Sequence, residues 1–410
     1  MLYHTYEMTH AALAPMREMA RFSRDALGNS ANPLSSSYGA RVTAASLDMF
    51  VKATKRYTKP EFELTSTVID GVEVAVTEEI VLNLPFCNLL RFKRDTKAKS
   101  QKLLIVAPLS GHYATLLRGT VTEMLPDHDV YITDWTDCRD VPLSEGEFDL
   151  DDYTDYLIKF CELLGEGGER PAVLAVCQPG VPMLVAASLM AERGDSFRPS
   201  SMTLMGAPVD TAMNPQKPNE LATTKPLSWF EQNVVTKVPW PNAGFMRKVY
   251  PGFLQLSGFM SMNMERHVDA HKDHFQNLIK GDGDSTDSHR KFYDEYMAVM
   301  DLSAGYYLQT IERIFQKRLL AEGAYYYRDT LVDPSKITDI ALLTVEGEKD
   351  DITGLGQTEA AHKLVKSPKD MHQHYVQEGV GHYGVFNGSR WRSKIAPLAK
   401  AFIAKHRANG

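Results

Sequence analysis

The chain has 410 residues, 43% hydrophobic and 24% charged, the balance of a globular protein and not of a disordered or fibrous one. Its 45 basic and 52 acidic residues leave a formal charge of −7 with no concentrated basic stripe, which argues against nucleic acid as the main partner. No apolar run reaches the roughly 18 residues a membrane-spanning helix needs.

The first residues, MLYHTYEMTHAALAPMREMARF, lack a basic start followed by an apolar core, so the expected location is the cytoplasm. Four cysteines (Cys87, Cys138, Cys161, Cys177) with no CxxC pair suggest reduced thiols, with neither a disulfide framework nor a zinc site. Residues 1–51 carry apolar positions at helical spacing, interrupted by the polar stretch Asn29–Ser37, and predict two helices around a loop. Over residues 62–84 the period changes, and Asp70-Gly71 between β-rich runs marks a hairpin.

From residue 102 short apolar runs alternate with helical patterns. The runs are KLLIVAP (102–108), DVYITDW (129–135), PAVLAV (171–176), SMTLMGAP (201–208), DIALLTVEG (339–347) and QHYVQEG (373–379). One helical pattern, Val181–Arg193, is closed by Gly194. Buried strands alternating with helices predict a mostly parallel sheet with helices on both faces. A crossover needs only a dozen or so residues, so most of the stretch between Pro208 and Asp339 is surplus and predicts an inserted subdomain. That stretch concentrates Trp229, Phe230, Trp240, Phe245, Tyr250, Phe253 and Phe259 with Met246, Met260, Met262 and Met264. Such residues form either an adaptable surface for an apolar partner or simply a small helical core. Leu302–Leu320 has the pattern of one long amphipathic helix returning to the core.

The strand at 171–176 runs through Cys177-Gln178-Pro179-Gly180 directly into a helix, the layout of a nucleophile elbow. A helix start at that point favours thiolate over thiol. Taken alone, Cys177 reads as an inert thiol at a strand end. Two later segments change that reading: Glu348-Lys349-Asp350-Asp351-Ile352 follows one late strand, and Gly379-Val380-Gly381-His382-Tyr383-Gly384 follows the next. Nucleophile, acid, histidine is the chain order of α/β-hydrolases. Asp350 fits the acid because Ile352 can return to the core, leaving Asp351 to face solvent or cap a helix at residues 353–356. The oxyanion hole of such an elbow uses the N–H after the nucleophile, here Gln178, and one from the loop after an early strand, for which Leu109 is the candidate. Gly111 would allow a close backbone approach there, and His112 is either a supporting group or a surface residue. The acidic run Asp149–Asp155 suits a helix start better than a metal, so no metal or cofactor is expected.

Several strings together resemble the intracellular polyhydroxyalkanoate (poly-3-hydroxybutyrate) depolymerases: AVCQPGVP (175–182), GEKDDI (347–352), GHYGVF (381–386), SGHYATLLR (110–118) and TDWTD (133–137). The resemblance spans nearly the whole chain and is shared in part with polyester synthases, which carry the cysteine elbow and polymerise hydroxyacyl-CoA. It implies an α/β-hydrolase fold with a helical lid and an N-terminal helical and hairpin extension. It also implies a cysteine nucleophile acting on amorphous storage polyester in the bacterial cytoplasm. The expected segments are an N-terminal extension (1–100), the first part of the hydrolase core (101–210), a lid (211–335) and the rest of the core (336–410). The expected activity is hydrolysis of poly(3-hydroxybutyrate) by Cys177, His382 and Asp350, with Trp229, Phe230, Trp240 and Met260 meeting the polymer or granule surface. Coenzyme A is a conceivable acyl acceptor. The rival readings are a synthase-like acyltransferase and a non-catalytic granule-coat protein.

Overall fold

The computed structural model describes residues 2–262, 264–280 and 282–407. Two helices, α1 (Leu2–Gly28) and α2 (Tyr38–Thr54), flank the polar loop as expected. The Ser37 hydroxyl accepts the Ala40 N–H and starts α2. The hairpin at Asp70-Gly71 joins β1 (Ser66–Ile69) to β2 (Val72–Leu84), both turn residues having positive φ. A further strand, β3 (Cys87–Arg94), pairs with β2 although Asn88, Arg91 and Lys93 interrupt its apolar pattern.

The core then proceeds through β4 (Lys102–Val106), α3 (Arg118–Met124), β5 (Asp129–Trp135), α4 (Leu150–Gly165), β6 (Ala172–Val176), α5 (Gly180–Glu192) and β7 (Ser201–Met205). Asp149 begins α4 with a reciprocal capping box, accepting the Asp151 and Asp152 N–H groups while the Asp152 carboxylate accepts its own. This is the helix-start role expected of the acidic run.

The insertion after β7 contains α6 (Lys217–Thr224), α7 (Leu227–Asn233), β8 (Thr236–Lys237), β9 (Lys248–Tyr250), α8 (Gly252–Met262), α9 (Met264–Lys280), α10 (Gly283–Tyr296), β10 (Leu302–Ser303) and α11 (Ala304–Gln309). Strands β8, β9 and β10 form a small antiparallel sheet. The single helix expected over Leu302–Leu320 is therefore corrected: Leu302 and Ser303 pair with Tyr250 and Val249 as a strand. The helix starts only at Ala304, widens into a π-type turn over Thr310–Gln316, and stops before Arg318, whose φ is +50°.

Buried contacts tie the insertion to the core. Arg247, fully buried, donates to the carbonyls of Val141 and Gly146 at 2.9 and 2.7 Å. The Asp301 carboxylate accepts the Tyr3 hydroxyl at 2.6 Å and the Gly252 N–H at 2.9 Å, while its own N–H donates to Asp137. Elements from the N-terminus, the core and the insertion thus meet at one buried acid.

After the hairpin β11 (Tyr326–Tyr327) and β12 (Thr330–Leu331), the chain closes with β13 (Ala341–Gly347), α12 (Ala361–Leu364), β14 (His372–Gln377), α13 (Gly388–Arg390) and α14 (Ala396–Lys405). Among the described residues the main sheet has nine strands in the order β1-β2-β3-β5-β4-β6-β7-β13-β14. The side from β1 to β5 is antiparallel, and every pairing from β5 to β14 is parallel. Strands β6, β7 and β13 are buried at every position, as continuous apolar runs covered on both faces require. Among the described residues no helix is long and apolar enough to cross a membrane.

Candidate active site

Cys177 directly follows β6 and has a φ of +67°, a left-handed conformation that residues with a Cβ adopt only where their surroundings impose it. Its N–H donates to the Met205 carbonyl at 2.7 Å, and its carbonyl accepts the Gly180 N–H at 3.1 Å, closing a sharp turn into α5. At Gly180 a Cβ would stand 2.4 Å from the Cβ of Ala207, so this turn needs a glycine to pack against the exit of β7. Helix α5 is buried from Gly180 to Met190, which holds the turn from below. The strand–turn–helix layout expected around Cys177 is present. Cys177 is half-buried, whereas Cys87, Cys138 and Cys161 are buried and burial pushes their thiols up.

Asp350 lies three residues beyond β13, its N–H bonded to the Gly347 carbonyl at 3.2 Å. One carboxylate oxygen accepts the Ile352 and Thr353 N–H groups at 2.9 and 2.8 Å, and the other lies 2.7 Å from Nδ1 of His382. Asp351 is exposed, and the helix expected at residues 353–356 does not form: the chain runs there through bends and turns, and Asp350 accepts the Ile352 and Thr353 N–H groups instead. His382 begins a short 3-10 turn (His382–Val385) after β14 and is buried. Burial lowers the affinity of the imidazole for its proton. Asp350 and Cys177, as charges and as hydrogen-bond partners, outweigh burial and raise its pKa well above the ordinary value. The structure thus brings Cys177, His382 and Asp350 together at the carboxyl ends of β6, β14 and β13.

Beside them lies a cavity of about 470 Å³, lined mainly by apolar and aromatic side chains and reached by Cys177, Gln178, Leu109 and His382. The carbonyl of Leu109 accepts the hydroxyl of buried Tyr306 at 3.0 Å. Gly111, with φ +105°, is where the backbone comes close to Gln255 of α8: a Cβ would stand 2.5 Å from Oε1. His112 is buried, not a surface residue; it bonds the Tyr296 carbonyl at 3.0 Å, and burial lowers its pKa to about 4, keeping it neutral.

The four residues expected to meet substrate separate. Phe230 lines the cavity, and Trp229 packs behind it edge-on with ring centroids 5.2 Å apart. Met260 is half-buried but is not part of the lining, where its neighbours Phe259 and Ser261 lie. Trp240, 77% exposed in the turn between β8 and β9, stands away from the cavity. The side chain of Met262 lies outside the described residues.

Three supporting residues escaped the sequence reading. Gly206, at φ +56°, leaves room for the imidazole, since a Cβ would stand 3.0 Å from Cε1 of His382. Glu346 on β13 is buried and accepts the N–H groups of Gly356, Thr358 and Glu359 at 2.9, 2.7 and 3.1 Å. Through Thr358, which bonds both the N–H and the carbonyl of Ala207, Glu346 fastens the loop after Asp350 to the end of β7. Tyr306 is the third. Only the glycine had a sequence signal, its place in the Met-Gly-Ala-Pro strand end.

The strand order, the elbow after β6 and the late acid and histidine define an α/β-hydrolase. Residues 206–407, just under half of the chain, match the family described as PHB de-polymerase C-terminus. Similar solved structures include DcsB in complex with its substrate analogue (13% identity, 82% of this chain and 100% of that one, TM-score 0.46). Others are a monoacylglycerol lipase of Paleococcus ferrophilus (13%, 78% and 99%, 0.44) and a malate-bound esterase of Thermogutta terrifontis (13%, 84% and 98%, 0.42). No curated protein matches the sequence.

Proposed function

We propose that the protein is an intracellular poly(3-hydroxybutyrate) depolymerase working through an acyl-enzyme on Cys177, with His382 as base and acid and Asp350 orienting the imidazole. The observation that carries the reading is the 2.7 Å bond from Asp350 to Nδ1 of the buried His382, beside a cysteine held in a left-handed elbow. That bond fixes which ring nitrogen carries the structural proton and leaves Nε2 for the thiol.

In this reading the thiol proton passes to His382, and Sγ bonds to the ester carbonyl carbon. The oxyanion is met by the backbone N–H groups of Gln178 and Leu109. His382 then gives its proton to the departing alkoxide as the C–O bond breaks, leaving a thioester. Water transfers a proton to His382 and attacks the thioester; the hydroxy acid departs and the proton returns to sulfur. The aromatic lining of the cavity suits a chain of small apolar units. Exposed Trp240, Phe245 and Met246 give the insertion an apolar face for the granule.

The test incubates purified protein and its Cys177→Ala variant with native amorphous granules and, separately, with 3-hydroxybutyryl-CoA, and identifies products by mass. Soluble hydroxy acids released from granules only when Cys177 is present are the expected result. Chain growth from the CoA ester would replace the reading with a synthase. Release at the wild-type rate by Cys177→Ala would remove the nucleophile.

A further inference from the structure

We propose that the side-chain amide of Gln178 binds the free 3-hydroxyl of a chain-terminal hydroxyacyl unit, so that the enzyme favours removal of the terminal unit over cleavage at internal esters. The inference rests on the reading of Cys177 as the acyl-forming nucleophile.

Gln178 is only 6% exposed, lines the cavity beside Cys177, and has no hydrogen-bond partner at Oε1, while its amide nitrogen faces the Tyr306 hydroxyl oxygen. A buried amide oxygen left unmet costs free energy that a ligand can recover. Tyr306 is a polar neighbour. Its hydroxyl hydrogen is committed to the Leu109 carbonyl at 3.0 Å, so it offers Gln178 lone pairs but no donor. The amide N–H₂ can be met by that oxygen or by an ester carbonyl. The amide oxygen needs a donor, and exchanging the two amide atoms leaves the same need.

An aliphatic polyester supplies only acceptors along its length: each repeat carries a carbonyl and an ester oxygen and no O–H. Its donor is the alcohol at the chain end. In a 3-hydroxyacyl unit one methylene separates the carbonyl carbon from the carbon bearing that hydroxyl. The two groups therefore lie within a single repeat unit, and Cys177 and Gln178 both line the cavity that would receive it. With the carbonyl at Sγ and the hydroxyl at Gln178, attack forms the thioester of one terminal unit. The shortened chain leaves as an alcohol, taking the proton from His382, and water then releases one hydroxy acid.

The experiment compares kcat/KM for a 3-hydroxybutyrate trimer methyl ester bearing a free hydroxyl with that for its hydroxyl O-methyl ether, using the full chain and its Gln178→Leu variant. The wild-type enzyme should favour the free hydroxyl by roughly tenfold, the scale of one buried neutral hydrogen bond. In Gln178→Leu that ratio should fall to about one. A wild-type enzyme without the preference overturns the proposal, as does a variant that keeps it. If the amide instead holds the deacylating water, the variant slows both trimers by one factor and the ratio persists. Should Gln178→Leu be inactive, calorimetric binding of the two trimers to Cys177→Ala, with and without Gln178→Leu, reads the same ratio. A wild-type enzyme that lacks the preference while Cys177 remains essential would sink this inference alone. Turnover of either trimer by Cys177→Ala at the wild-type rate would sink the nucleophile reading beneath it.

Discussion

The imidazole of His382 rests against Gly206, where a Cβ would stand 3.0 Å from Cε1 and 3.2 Å from Nδ1. The same glycine has a φ of +56°, so a side chain there meets both a steric and a backbone penalty. Gly206→Ala should shift the imidazole and lower kcat/KM by about 10²-fold, the scale of a displacement near 1 Å in a catalytic group. A melting curve distinguishes this from unfolding. A variant that keeps wild-type activity would mean that His382 tolerates displacement and is not the working base.

Asp350 and Asp351 are adjacent in sequence but differ in every physical respect, one buried against His382 and the other exposed. Asp350→Asn should lower turnover by about 10³–10⁴-fold, because the amide supports the wrong imidazole tautomer. Asp351→Asn should stay within about threefold, as expected of a surface carboxylate. Steady-state kinetics on a short soluble ester decides between them, and the opposite ranking would move the acid to Asp351.

Glu346 gives its two oxygens to three backbone N–H groups in the loop that follows Asp350. Gln in its place keeps one acceptor and brings a donor toward other donors. Glu346→Gln should cost about 1–3 kcal/mol of unfolding free energy, the scale of buried groups left unmet. Urea denaturation measures it, and an unchanged midpoint would show that the loop holds without Glu346.

The buried carboxyl of Asp301 is pushed up to about 7, by burial first and then by the nearby charge of Asp137. Its folded pKa lies above the unfolded value near 3.9. The stabilisation from holding that proton is therefore complete below about pH 4 and is lost as pH rises through 7. In Asp301→Asn the fall in melting temperature between pH 5 and 8 should be shallower than in the wild type. Equal slopes would place the proton elsewhere, with Asp137, also raised, as the first alternative.

Trp240, Phe245 and Met246 are 77%, 46% and 41% exposed in the β8–β9 turn. Replacing all three with Ser should weaken granule binding in a sedimentation assay while hydrolysis of a soluble ester falls less than twofold, since Trp240, Phe245 and Met246 are not part of the cavity lining. Equal losses in the two assays would deny these residues a role on the polymer.

Strands β6, β7 and β13 are legible in the sequence because strands buried on both faces are forced into unbroken apolar runs. Strand β3 is not, since Asn88, Arg91 and Lys93 break its pattern and its place is set by pairing with β2 and β5. Cys177, Asp350 and His382 stand out because each sits in local turn chemistry written by adjacent residues. Glu346 and Tyr306 do not, because their roles arise from contacts with segments far away in the chain. Composition drew attention to Trp240 and Phe230 alike, yet only the second faces the cavity. Residue type carries no direction.

The strand order has a consequence for how the molecule is made. Strand β7 is buried at every position and is covered on one side by β6, but its other edge waits for β13, which is not reached until Ala341. A ribosome must therefore deliver the entire insertion while the apolar edge of β7 stays open to other chains. Throughout that interval the sulfur of Cys177 already exists without the imidazole of residue 382. Slow synthesis, or a stop codon anywhere before β13, would leave a sticky half-sheet bearing an unguarded thiol, and quality control by chaperones and proteases would meet this protein first in that form.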